Sequence, residues 1–282
     1  MEEIATGYGL IEGPVWDASQ GLYFSDVING GVFLLNQSDK ISEVIPKRRG
    51  VGGMALHAAG GLVVGGRDIA YVSLTEGTSH TFLDQAAADN ATGFNDLTTD
   101  RHGRVYVGSL AFKVFAKEPP APGNLYMIDL DGSTKKISDG IMLTNGLGFS
   151  PDGSRLYHSD ARGQVVRVYN VSDDGTLSPW QEFTSLGADG VADGLKVASD
   201  GSVWVADAHG GRVAVHNEDG SHREDIEVPL PMVTSLCFGG SDLRDLYIVT
   251  GSRGGPRENC GTVFCMRVDI PGLPLTPAQV AF

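Results

Sequence analysis

The chain has 282 residues, 41% of them apolar, and 21 Lys and Arg against 35 Asp and Glu give it a formal charge of −14. That apolar content excludes a disordered chain, and the acidic balance argues against nucleic acid or an anionic membrane as a partner, because both require a basic face. No run of 18 apolar residues offers a spanning helix, and the start Met1-Glu2-Glu3-Ile4 lacks the basic and apolar regions of a secretory signal, so a cytoplasmic location is expected.

Glycine is the strongest deviation: 39 of 282 residues, about twice the ordinary ~7%. Spread evenly, it predicts many tight turns between many short strands. In chain order, the first strand pair is Glu12-Gly13-Pro14-Val15-Trp16 with Leu22 to Asp26. A degenerate copy opens near Gly52-Gly53-Met54, and a third at Asn95-Asp96-Leu97 with Arg104 to Gly108 as its second strand. The segment 111–123 then interrupts the pattern. Its Pro119, Pro120 and Pro122 bar a helix and a central strand, leaving a surface excursion or a flap over a channel mouth. A fourth copy runs from Asn145-Gly146-Leu147 through Arg155 to Asp160 and Val165 to Tyr169.

The fifth copy is the clearest. Asp193-Gly194-Leu195, an Asp200-Gly201 turn, Val203 to Asp207, a Gly210-Gly211 turn, Arg212 to His216, an Asp219-Gly220 turn and an extended stretch to Val228 spell out four strands of a small antiparallel sheet. The sixth, degenerate, opens at Thr234-Ser235-Leu236. Starts at 12, 52, 95, 145, 193 and 234 have the spacing of roughly 40–50 residues that marks propeller blades. The expected fold is all-β: one six-bladed β-propeller spanning 1–282, with four-stranded antiparallel blades around a central channel. The head (1–10) and the tail from Pro271 lie outside the repeats, and one or both are expected to supply a closing strand.

Glu12, Asn95, Asn145 and Asp193 share one phase of the repeat, just before the innermost strand, so four blades direct oxygen donors at one point on the axis. Gly52-Gly53 and Thr234-Ser235 occupy that phase elsewhere and add no strong ligand. Two carboxylates and two amides form a hard-oxygen set suited to one divalent ion, Ca2+ in the first place, with Zn2+, Mn2+ and Mg2+ as alternatives. Burying Glu12 and Asp193 together without a cation is costly. Taken singly, each of the four reads equally as a turn residue.

The other chemistry-bearing residues read as structural. The seven histidines show no ligand spacing, with His158 and His209 expected at polar surface or packing positions. Trp16, Trp180 and Trp204 are expected in blade cores. Cys260 and Cys265 are five apart in an extended segment, which points them to opposite faces and disfavours a bond between them. No nucleophile elbow or phosphate loop appears.

Glu12-Gly13-Pro14-Val15-Trp16, Phe94-Asn95-Asp96, Asn145-Gly146-Leu147, Asp193-Gly194-Leu195 and Thr234 to Gly240 together resemble the senescence-marker-protein-30/gluconolactonase/luciferin-regenerating-enzyme propellers over nearly the full length. The resemblance implies a metal-dependent lactonase acting on a small lactone. It makes Glu12, Asn145 and Asp193 metal ligands, Asn95 a residue contacting metal, water or substrate, and Asp193 the catalytic candidate. One departure stands out: where many members carry a substrate-binding arginine, this chain has Gly93, for which Arg67 or Lys113 are candidate substitutes. Similar propellers with this donor set hydrolyse phosphotriesters or fluorophosphates, and a non-catalytic, calcium-stabilised binding propeller is the remaining alternative.

Overall fold

The computed structural model describes residues 1–116 and 118–282. Its 24 strands form six four-stranded antiparallel sheets, and no helix occurs among the described residues. None is therefore long and apolar enough to cross a membrane. The first blade comprises β2 (Ile11–Asp17), β3 (Gly21–Asp26), β4 (Val32–Asn36) and β5 (Ile41–Ile45). The second to fifth blades follow in chain order, with innermost strands β6 (Met54–Leu56), β10 (Gly93–Thr99), β14 (Thr144–Phe149) and β18 (Ala192–Val197). The sixth consists of β22 (Met232–Gly239), β23 (Asp245–Gly251), β24 (Gly261–Arg267) and, as its outer strand, the chain's own β1 (Glu2–Tyr8). The innermost strands touch in the order β2, β6, β10, β14, β18, β22 and back to β2, which closes the ring of a six-bladed propeller.

Alternation along each strand sends apolar side chains to both faces of a blade, so the core lies between blades. Six apolar clusters result, each bridging two neighbours. One joins Val15, Tyr23 and Val32 of the first blade to Met54, Leu62 and Val64 of the second. Another joins Tyr157 and Val166 of the fourth to Leu195, Val203 and Val205 of the fifth.

The expected closing strand comes from the head alone. The tail forms no strand of a blade and instead runs across the end of the channel remote from Glu12. There the Ala278 N–H donates to the Leu56 carbonyl (2.7 Å), Gln279 N–H to Gly103 (2.9 Å) and Ala281 N–H to Leu130 (2.8 Å). Leu273 to Pro277 line a cavity at that end together with Leu56, Thr98, Phe149 and Lys196 of the channel wall.

One expectation about a tryptophan is corrected. Trp180 is 44% exposed and lies over the Arg167 guanidinium, 4.5 Å from its ring centre, outside the core. Trp16 is half-buried and stacks on Tyr247, whereas Trp204 is a core residue as expected. All three cysteines are free.

Candidate functional site

Glu12, Asn95, Asn145 and Asp193 do not precede the innermost strands. They are the second or third residue within β2, β10, β14 and β18. Each sits at a β-bulge, where pairing with the next strand shifts between Glu12 and Val15, Phe94 and Leu97, Thr144 and Leu147, and Ala192 and Leu195. A bulge adds a residue to one strand and re-aims its side chain. β6, which begins only after Gly52-Gly53, has none. Glycines after the ligand positions let neighbouring inner strands close up: a β-carbon at Gly146 would collide with the Leu195 backbone, and one at Gly194 with Ser235.

The four residues meet at one end of the channel. Asn95 Nδ2 donates to Asn145 Oδ1 (2.5 Å) and to the Thr144 carbonyl (2.7 Å). Both amide protons are thereby used, so Asn95 Oδ1 is left as an acceptor. It points at Gly52, where any β-carbon would overlap it. Thr144 is held in turn by His158, whose Nε2 lies 2.7 Å from Thr144 Oγ1. His158 is wholly buried, and desolvation pushes its imidazole down to about 3, so the ring is neutral. His209 is exposed.

Asp96, in the same bulge as Asn95, completes the cluster. Spacing does not single it out, and its place beside Asn95 is the only signal for it in the sequence. Glu12, Asp96 and Asp193 are all buried, and none forms an ion pair among the described residues. Burial, then repulsion from Asp193 and Asp96, raises the Glu12 carboxyl well above its ordinary range. Burial and Asp96 do the same to Asp193, with Arg253 opposing. Desolvation lifts Asp96 to about 6 even though the Lys196 charge draws it back.

Three buried carboxylates that repel one another are costly without a positive charge beside them. Glu12 Oε2 is buried without a hydrogen-bond partner, Asn95 offers a free Oδ1 over a glycine, and every donor is oxygen. These features fit a hard divalent cation. Among the described residues no group of three or more His, Cys, Asp and Glu is placed to hold a metal by itself, so the donor set depends on the asparagines.

The rim positions are also defined. Gly93 faces open space apart from the Gly66 carbonyl, 3.2 Å from where a β-carbon would stand. Gly66 pairs antiparallel with Phe94, which sets Arg67 across the ladder from Gly93, with its side chain 86% exposed beside Asp68. Lys113 lies 3.8 Å from Glu118 within the 111–123 insertion, which joins β11 (Val105–Leu110) to β12 (Gly123–Ile128) and is anchored by buried Phe112.

Comparison with known proteins shows what the whole chain resembles. The chain is 32% identical over 276 residues to a 6-deoxy-6-sulfogluconolactonase of Pseudomonas putida, covering 93% of this chain and 92% of that protein. It is 29% identical over 270 residues to a pentonolactonase of Haloferax volcanii, covering 92% and 89%. The solved structure of a luciferin-regenerating enzyme superposes with a TM-score of 0.88 at 22% identity, covering 98% of this chain and 97% of that one, which shows the shared fold. The model of the SMP-30/gluconolactonase/LRE-like region matches residues 10–252, and the chain belongs to that family.

Proposed function

We propose that the protein hydrolyses a small lactone at the channel end where Glu12, Asn95, Asp96, Asn145 and Asp193 converge. The observation that carries this reading is the oxygen-only cluster of buried, unpaired carboxylates in a chain aligned end to end with relatives named as lactonases. Glu12, Asn145 and Asp193, with Asn95 Oδ1 beside them, would hold one divalent cation, Ca2+ first among the candidates. When bound, that cation supplies the positive charge that stabilises a lactone carbonyl oxygen as negative charge develops on it.

The remaining work falls to the chain. Asp193 accepts a proton from the water that attacks the carbonyl carbon. It returns that proton to the ring oxygen as the C–O bond breaks, leaving a hydroxy acid that ionises and releases one proton. Asn95 is locked by its two donated bonds, so it offers substrate or water an acceptor and no donor. Arg67 is the rim cation set opposite Gly93 and contacts the lactone's polar substituents.

The test is proton release from five- and six-membered lactones, sugar-derived and plain, after chelation and after restoring Ca2+, Mg2+, Mn2+ or Zn2+, with phosphotriesters alongside. Cation-restored lactone opening is expected, with Asp193→Ala reducing turnover at least ~1000-fold. Asp193→Asn retains an oxygen donor, so it should bind the cation and lose turnover. Substantial activity in that variant rules out the proton-accepting role, and phosphotriester hydrolysis alone rules out the lactonase.

A further inference from the structure

Three blades carry a buried aspartate at the end of the second strand: Asp26 in β3, Asp160 in β15 (Arg155–Asp160) and Asp207 in β19 (Val203–Asp207), with exposures of 2%, 0% and 0%. In the ladder they face Ile11, Thr144 and Ala192, the residues immediately before Glu12, Asn145 and Asp193. The three blades without a carboxylate at this register are the second, third and sixth: Ser109 and Thr250 face Phe94 and Val233 in the third and sixth, and in the second, where Met54 already pairs with Val64, the register falls on Gly66 beyond the end of β7 (Leu62–Val64). The aspartates thus accompany the three supposed principal ligands one for one.

Their bonds run to the backbone that leads into each ligand. Asp26 accepts from the N–H groups of Gly9 (2.8 Å) and Leu10 (3.3 Å). Asp160 accepts from Met142 (3.1 Å) and Leu143 (3.0 Å), and Asp207 from Val191 (3.0 Å). Each also ties down the turn that follows its own strand, through Asn29 N–H (3.0 Å), Gly163 N–H (3.0 Å) and Gly210 N–H (2.9 Å). Glycine at 163 and 210 is required there, since a β-carbon would run into the carboxylate. Two are braced from the third strand: Arg167 Nη2 reaches Asp160 at 2.6 Å and Arg212 Nε reaches Asp207 at 3.2 Å.

Resting on the reading of the site given above, we infer that Asp26, Asp160 and Asp207 are positioning residues that set the entry angle and bulge register of Glu12, Asn145 and Asp193. A ligand at the start of an innermost strand has ladder pairing mainly on its C-terminal side; the preceding link lies outside the ladder, and the buried carboxylate clamps it. Loss of such outer support around a metal site lowers affinity or activity by roughly 10–100-fold.

Asp100 supplies the control. It is equally buried and accepts from His102 N–H (2.9 Å), Arg104 N–H (3.0 Å) and Arg104 Nε (2.5 Å), but at the opposite end of the third blade. The experiment uses the full chain. Ca2+ affinity by calorimetry, thermal midpoint and amide hydrogen exchange are measured for wild type, Asp207→Ala, Asp207→Asn and Asp100→Asn.

Asp207→Ala should weaken Ca2+ at least ~10-fold and speed exchange at residues 191–193. Asp207→Asn, which keeps a weaker neutral acceptor, should recover most of that loss, to within about threefold of wild type. Asp100→Asn should lower the thermal midpoint while Ca2+ affinity stays within about twofold. If Asp207→Ala does not fold, Asp207→Asn carries the test through faster exchange at Val191 with unchanged exchange at residues 102–104. Native exchange at 191–193, or an equal Ca2+ loss in Asp100→Asn, overturns the inference. If wild type binds none of the cations, the site reading fails instead, and exchange alone decides whether the clamp is real.

Discussion

The tail end of the propeller and the cluster on the channel axis at its other end treat aspartate and glutamate in opposite ways. At the tail end the acidic side chains are answered: Arg267 holds Asp242 down to about 2, and the Ser150 hydroxyl with Ser154 does the same for Asp152. Asp100 is buried against Arg104 at 2.5 Å, and Asp200 meets Arg223 at 2.8 Å. At the other end Glu12, Asp96 and Asp193 are buried without ion-pair partners, and their proton affinities rise. Carboxylates that serve the fold are satisfied locally by turns and arginines. Those left unsatisfied at the converging bulges are the ones the proposed function assigns to a cation.

The largest way to break this contrast is to remove the excess charge. Glu12→Gln should lower kcat/KM at least ~1000-fold. In chelator the same variant should unfold at a higher temperature than wild type, because a neutral amide replaces a buried, unpartnered carboxylate. A lower melting temperature there would erase the difference between the ends.

The converse experiment creates an unanswered carboxylate at the tail end. Arg104→Ala leaves Asp100 buried without an ion pair and should cost about 3–5 kcal/mol in a urea titration, with kcat/KM of the folded protein unchanged. A smaller step sharpens the geometry of the site end. Gly52→Ala sets a methyl group against Asn95 Oδ1, and kcat/KM should fall about 10- to 100-fold with little change in stability.

Per pH unit, the smallest effect is a pH dependence set by His158. Its folded pKa of about 3 lies below the unfolded value of about 6.5, so between these values the unfolded chain binds the extra proton. Its contribution to stability is complete above pH 6.5 and is lost as pH falls toward 3, at up to ~1.4 kcal/mol per pH unit. His158→Gln should flatten that acid limb in urea unfolding series at pH 4 to 7. An unchanged slope would show that His158 does not govern it.

Much of this is legible in the sequence. Turn dipeptides such as Asp152-Gly153 and Asp200-Gly201 are local signals, and Gly153 and Gly201 take the positive φ values those turns require. Their spacing gives the blades, and the shared phase of Glu12, Asn95, Asn145 and Asp193 gives their convergence. What stayed hidden depends on contacts between distant segments. Bulges arise from pairing between strands, so the four residues sit inside strands and not ahead of them. Asp96 stands out only once three carboxylates are seen together. Asp26, Asp160 and Asp207 look like ordinary strand ends until their bonds to the preceding link are traced. Trp180 reads as core by composition, yet a proline-flanked edge leaves it outside on Arg167.

The seam of the ring carries one more consequence. The sixth blade is completed by β1, the first strand of the chain, and only two residues separate its end at Tyr8 from the start of β2, which bears Glu12. During synthesis, five blades can assemble while the first segment still hangs loose. The strand it must pair with, Gly261–Arg267, is the last strand of the propeller to be made. Glu12 therefore gains its final anchorage when the circle shuts, late in folding and across nearly the whole sequence, the kind of distant pairing that is slow to form. A protein whose seam opens would lose its chemistry before it lost its blades.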